Sequence, residues 1–154
     1  MTDAVSIRRA TRDDVPTIAA MFATDLEGGH GDTADPAALP DYFAAFDAIA
    51  ASPNDRLYVA QLDGVVVGTF QTTLIRSMTG RGSTNLNVEA VHVDQRFRSR
   101  GIGEAMMHFA IEAARAQGCA KVQLTSNANR IAAHRFYERL GFSRSHAGFK
   151  LKLR

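Results

Sequence analysis

Cysteine is almost absent from this chain: Cys119 stands alone among 154 residues. One thiol cannot form an internal disulfide, so the chain is expected to fold on its apolar core in a reducing compartment, the cytoplasm. Long apolar runs are missing too. The opening MTDAVSIRRATRDD has no apolar signal core, and no stretch approaches bilayer-spanning length, so no membrane partner is expected. A large charge of either sign is also lacking. The formal net charge of +2 is too small to imply a nucleic-acid partner, and the arginines are clustered rather than spread over a face. The five histidines are scattered and one thiol cannot complete a thiolate set, so no metal site is expected. Nor does Cys119 have a base nearby in sequence that would make it an acyl-carrying nucleophile.

What is present is an ordinary globular composition, 45% hydrophobic and 22% charged. The length suits one domain, 1–154, and is too short for two comfortable ones. AVSIRR (4–9) reads as a first strand. Thr11, three residues before Asp14, marks a helix start, with Val15, Ile18, Phe22 and Leu26 at helical spacing and Pro16 in the tolerant first turn. The loop DLEGGHGDTADP carries Asp25, Glu27, Asp32 and Asp35, which either attract a cationic amine or are simply solvated. PDYFAAFDAIAAS reads as a second helix. RLYVAQLDGVVVGTFQTTLI is a hairpin about Asp63-Gly64, a pair suited to positive φ. TNLNVEAVHVD is a further strand. Ile102, Ala105, Met106, Phe109 and Ala113 line one helix face that Gly118 stops. KVQLT then reads as a strand, RIAAHRFYERL as a helix stopped by Gly141, and Phe142 and GFKLKL as closing strand-like runs. The expected architecture is a mixed α/β (α+β) sheet of six or seven strands flanked by about four helices.

The chemistry concentrates in RFRSRGIGEAMM (96–107). Arginines and glycines crowd the mouth of a helix, where the first amides are unpaired and the dipole is positive. Glycine lets backbone approach a ligand closely. Such a turn suits a pyrophosphate, although it also fits a plain helix start beside surface arginines. The turn lacks the Gly-Lys-Ser/Thr end of a triphosphate loop and the three glycines of a dinucleotide fingerprint.

Placed between a strand and a long helix, Arg98-Ser99-Arg100-Gly101-Ile102-Gly103 resembles the acyl-CoA-binding signature of the GNAT N-acetyltransferase superfamily, Gln/Arg-x-x-Gly-x-Gly/Ala. AAHRFYERLGF (132–142) resembles the last core helix of that family. The resemblance covers essentially the whole chain and is strongest over 86–142. It implies a GNAT fold and an acyltransferase that uses acetyl-CoA as cosubstrate. The pantetheine arm of CoA would lie against the backbone of Val91 and Val93, with the pyrophosphate over Arg98, Ser99, Arg100, Gly101, Ile102, Gly103 and Glu104. Arg96 is read as facing solvent.

The resemblance makes Glu89 the general base. Alternation places residues 89, 91 and 93 on one face and His92 on the other, and a carboxylate among Leu86, Val88, Val91 and Val93 needs a reason, such as a pKa raised toward neutrality. The other reading is an edge glutamate paired with an arginine. Tyr137 matches the tyrosine that protonates or hydrogen-bonds the departing thiolate; it also fits a core aromatic beside Phe136. The family asparagine before that helix falls at Arg130, with Asn129 one residue earlier, so either could meet CoA. His134 reads as structural or exposed. The C-terminal portion is similar to that of aminoalkylphosphonate acetyltransferases, and Arg130, Arg144 and His146 suit an acceptor that carries an anion. A small-molecule amine is therefore the expected acceptor. A protein or peptide acetyltransferase and a non-catalytic acyl-CoA sensor are the alternatives. A homodimer is also implied, with no interface legible in the sequence.

Overall fold

The computed structural model describes residues 4–25 and 31–154, in two compact units, Met1–Gln123 and Leu124–Arg154. The first unit runs β1 (Ser6–Arg9), α1 (Val15–Ala23), α2 (Leu39–Ala51), β2 (Asp55–Leu62), β3 (Val65–Arg76), α3 (Thr79–Gly82), β4 (Thr84–Val93), α4 (Ile102–Ala116) and β5 (Lys121–Gln123). α3 is a single turn. The second unit holds α5 (Ile131–Arg139). One sheet has the order β1-β2-β3-β4-β5, antiparallel except for the parallel β4–β5 pair. That pair needs a crossover, and α4 supplies it.

The mixed α/β class agrees with the sequence reading, but the described residues form five strands where six or seven are expected. Residues 142–154, read as closing strands, join no ladder. Alternating side chains favour extended chain, but a strand requires a neighbour that takes up its backbone donors and acceptors. Leu26 and Glu27, expected in the first helix and the acidic loop, lie outside the described residues. The hairpin turns where expected, with Asp63 and Gly64 at φ 50° and 78°.

The α1 start shows how local sequence becomes tertiary anchoring. Thr11 donates its amide to Asp14 Oδ2 at 2.7 Å, and the Arg8 guanidinium donates to both Asp14 oxygens at 2.7 and 2.9 Å. Those Arg8 hydrogen bonds hold the Asp14 carboxyl below its ordinary range, against the opposing effect of burial. With the folded pKa depressed, the stabilisation is present above the unfolded value of about 3.9 and disappears as pH falls through the folded value. Asp14→Asn is expected to remove about 1–3 kcal/mol at pH 7, toward the lower end because the Arg8 side chain is 36% exposed. Urea unfolding at pH 7 and pH 3 checks this: the gap between the two proteins should narrow at the lower pH.

The sheet has two covered faces. On one, Ile18 and Met21 of α1 pack with Val59. On the other, Phe109 of α4 meets the rings of Tyr58 and Phe70 at 5.0 and 6.2 Å, and Ile102, Met106 and Met107 are fully buried. Ile102 thus anchors the first turn of α4, which the arginine-glycine stretch feeds.

Candidate active site

β4 runs past its neighbour. Its ladder with β5 ends at Asn87↔Gln123, while β4 continues to Val93. The Asp94 amide donates to the Val67 carbonyl of β3 at 2.8 Å. Successive amides along a regular strand point to opposite sides, so that of Val93 turns away from β3, to the side on which the β5 ladder has already ended.

A bulge interrupts β4 at this point. Gln71 pairs with Glu89 and Thr69 with His92, so Ala90 and Val91 together oppose Phe70. Ala90 takes up the extra residue with φ 51°. A bulge shifts the side-chain alternation by one. Glu89 and His92 therefore share a face with Gln71 and Thr69, while Val93 follows Gly68 onto the other face. This corrects the sequence reading in two places. Val93 does not share a face with Glu89, and His92 does. Glu89 is also exposed, whereas Leu86 and Val88, expected to enclose it, are buried; α4 covers their face of the sheet and not that of Glu89. A left-handed alanine costs roughly 1–2 kcal/mol. Ala90→Gly is accordingly expected to be neutral to mildly stabilising, and Ala90→Val to destabilise by at least that amount, as chemical denaturation will show.

The sequence assigns His92 no role, and nothing local to it signals one. Its ring lies 5.0 Å from that of Phe22 at a tilt of 59°, and Nε2 is 3.8 Å from Asp25 Oδ2. Both side chains are largely buried, at 17% and 16% exposure. The register continues the same polar face through Asn87 and Asn85, opposite Thr73 and Ile75, and the Oδ1 atoms of both asparagines are buried with no hydrogen-bond partner among the described residues. Such atoms destabilise a fold by about 1–3 kcal/mol each, so this strip of β4 is not built for stability alone.

Beyond Val93 the chain makes a 3-10 turn, Gln95–Phe97, then passes Ser99 at φ 64° and Gly101 at φ 78° into α4. No side chain caps α4; Arg98 and Ser99 form a turn that directs the Arg100 amide at the Phe97 carbonyl, and no backbone or side-chain acceptor for the amides of Ser99 or residues 101–104 is found among the described residues. A Cβ built on Gly101 meets nothing within 4 Å, so the turn opens outward. Arg96 is exposed as expected, but it grips Asp94 at 2.9 Å, and this hydrogen bond pulls the Asp94 carboxyl below its usual range. The Arg100 guanidinium stacks over Phe97 at 5.4 Å. Arg98 acts electrostatically on Asp94 without a close ion pair, and Arg100 is stacked on Phe97, so both cations stand beside the turn that enters α4. Glu104 approaches His108 at 3.3 Å, one helical turn on. The donor set of the turn fits a pyrophosphate, and the open β4 edge fits an amide-bearing chain.

The second unit carries the remaining sequence-derived residues. Asn129 donates its amide to Asn127 Oδ1 at 2.9 Å and Arg130 donates its own to the Asn127 carbonyl at 3.0 Å, forming the turn into α5. His134 Nε2 lies 2.9 Å from that same carbonyl, a structural contact as expected. Tyr137 is half-buried between Phe136 and Phe142, with ring centroids at 5.1 and 5.9 Å. Burial pushes its phenol up, with a smaller opposing effect from Arg130, so the hydroxyl keeps its proton throughout the neutral range. Cys119 is a half-buried free thiol that burial pushes up.

The site thus joins a β4 strand that outruns its β5 ladder to an uncapped arginine-glycine turn at the start of α4. Residues 18–142 match the acetyltransferase (GNAT) family, and the chain belongs to that family. Among curated relatives, N-acetylaspartate synthetase of Rattus norvegicus is 33% identical over 90 residues, covering 58% of this chain and 28% of that protein. The match thus spans less than a third of that relative. Glucosamine 6-phosphate N-acetyltransferase of Trypanosoma brucei brucei is 31% identical over 98 residues, covering 64% of this chain and 65% of that enzyme. Aminoalkylphosphonate N-acetyltransferase of Salmonella typhimurium is 29% identical over 146 residues, covering 93% and 88%. Among solved structures, a Bacillus halodurans C-125 protein described as a transcriptional regulator superposes with a TM-score of 0.93 at 35% identity, covering 97% of this chain and 100% of that one.

Proposed function

We propose that this protein is a cytoplasmic N-acetyltransferase. It moves the acetyl group of acetyl-CoA directly to the primary amine of a small molecule that also bears an anionic group, with the whole chain, 1–154, working as one catalytic domain. The observation that carries this reading is the course of β4: an open edge at Val93 leads straight into the amides of residues 101–104, with Glu89 one bulge away. Acetyl-CoA, when bound, supplies the thioester. Val91 and Val93 hold its arm through backbone, and Arg98, Arg100 and the open amides hold its phosphates, with Asn129 or Arg130 as a further contact. Glu89 takes a proton from the amine as nitrogen attacks the carbonyl carbon. The Val91 amide steadies the oxyanion, and Tyr137 gives its proton to the sulfur as the C–S bond breaks. Holding both reactants together accounts for about 7–11 kcal/mol of barrier lowering.

The acceptor class rests on the names of the relatives. Aspartate, glucosamine 6-phosphate and aminoalkylphosphonates each join an amine to an acid group. Thiol release from acetyl-CoA, measured over these amines, uncharged amines and peptides, tests the proposal, with calorimetric CoA binding alongside. Turnover confined to anion-bearing amines is the expected result. Turnover on peptides alone overturns the acceptor class, and absence of CoA binding overturns the whole reading. The second reading, a non-catalytic acyl-CoA sensor, draws on the description of the Bacillus halodurans protein and requires CoA binding with no turnover on any acceptor.

A further inference from the structure

The β4 bulge holds Ala90 at φ 51°, a left-handed backbone that is strained at any residue but glycine. Strain of this kind persists at functional sites, where a bulge re-aims a side chain. The side chain re-aimed here is that of His92, which a regular strand would turn away from Glu89. Glu89 opposes Gln71 and His92 opposes Thr69. Those β3 partners are two positions apart, so Glu89 and His92 stand about 7 Å apart along one face. At that spacing a carboxylate passes a proton to an imidazole directly or through one water. The surroundings of His92 suit a proton. Its Nε2 is 3.8 Å from Asp25 Oδ2, both side chains are largely buried, and the ring is packed on Phe22. A carboxylate at this range favours the imidazolium. β3 brings Thr69 and Gln71 to this face, the end of α1 brings Phe22 and Asp25, and β4 brings Glu89. Asp94, two residues on, is taken up by Arg96.

We propose that His92, held by Asp25, is a positioning residue that acts through Glu89 and draws off the proton released by the acceptor amine. The inference rests on the acetyltransferase reading above. As nitrogen attacks the thioester, an N–H bond breaks and an O–H bond forms on Glu89. That proton then moves to an imidazole nitrogen of His92, the Glu89 carboxylate is regenerated, and the imidazolium faces Asp25 until solvent takes the proton. The relay has a simple reason. A free glutamate, with a pKa of about 4.3, keeps a proton poorly at pH 7, whereas an imidazole near 6.5 keeps it far better.

Thiol release from acetyl-CoA by the full-length protein tests this, followed from about pH 5 to 9 with aspartate, glucosamine 6-phosphate and an aminoalkylphosphonate as acceptors. Nuclear magnetic resonance titration of the His92 ring runs alongside. The wild-type turnover number should rise through a midpoint in the imidazole range, about 6.5, that coincides with the titration of the ring. His92→Gln should lower turnover about 10²-fold and abolish that midpoint, with KM for acetyl-CoA unchanged. A Glu89→Gln/His92→Gln variant should be no slower than Glu89→Gln alone, because the two residues act in series. Asp25→Asn should lower the ring midpoint and the kinetic midpoint together. Undiminished turnover or a surviving midpoint in His92→Gln overturns the inference and leaves the acetyltransferase reading standing. A double variant that multiplies the two separate losses does the same, as does a ring midpoint indifferent to Asp25→Asn. Where His92→Gln fails to fold, the wild-type ring and kinetic midpoints decide, and a mismatch between them overturns the inference. No turnover of the wild type on any of these acceptors, at any pH, overturns the acceptor reading and this inference with it.

Discussion

Glu89→Gln is expected to lower the turnover number by about 10²- to 10⁴-fold while CoA binding is unchanged. Glutamine keeps the shape of the side chain and its hydrogen-bonding reach but cannot take a proton at neutral pH. Glu89 is exposed, so the substitution leaves no buried group unpaired and the fold should be indifferent to it. Binding and chemistry therefore separate: calorimetry reads the β4 edge and the arginine-glycine turn, and thiol release reads the proton transfer. Undiminished turnover removes Glu89 from the mechanism and moves attention along the same face to His92, held near Asp25 at 3.8 Å. His92→Gln then becomes the discriminating variant.

Gly68→Val is expected to destabilise the first unit by overpacking its core. A Cβ on Gly68 comes within 2.9 Å of Met106 Sδ, 3.2 Å of the His92 carbonyl oxygen and 3.4 Å of Ile102 Cγ2. The Met106 thioether lies far out on a flexible side chain and can shift in part, but the His92 oxygen is backbone of the β3–β4 ladder region and Ile102 is fully buried, so the clash is not fully relieved. Overpacking of this kind destabilises by about 1–3 kcal/mol, and for a chain of this size each kcal/mol lowers Tm by about 2–4 °C. Moving Ile102 also tilts the first turn of α4, whose open amides stand over the proposed phosphate site. Loss of thermal stability in calorimetry should therefore come with weaker CoA binding. Gly68→Ala should show both effects to a smaller degree. A stability loss with unaltered CoA affinity would mean that α4 keeps its place and only the core adjusts.

Much of the molecule is legible in its sequence. Asp63-Gly64 marks its turn by local chemistry, because few residues adopt positive φ easily. Thr11 and Asp14 announce a helix start through bonds only three residues apart. The α4 stripe and its Gly118 stop follow from helical period, and Gly101 with its arginine neighbours declares an open turn. All of these depend on interactions within a few residues.

Sequence and structure part where the cause is distant along the chain. Alternation along β4 places Glu89 and His92 on opposite faces, and it is correct for a regular strand. The bulge that reverses it depends on pairing with Thr69 and Gln71, some twenty positions away, and an alanine does not advertise a left-handed backbone. The exposure of Glu89 has a related origin: the side chains beside it in sequence lie under α4, and only the packing of that helix decides which face of the sheet is covered. Alternation alone does not make the closing residues strands, since a strand needs a neighbour as well as a pattern. Sequence by itself determined the helices, the hairpin turn, the strands before residue 142 and the arginine-glycine motif, whose energetics are local. Tertiary structure alone decided which side chains share a face and which edges stay open, because those depend on pairing and packing between segments far apart in the chain.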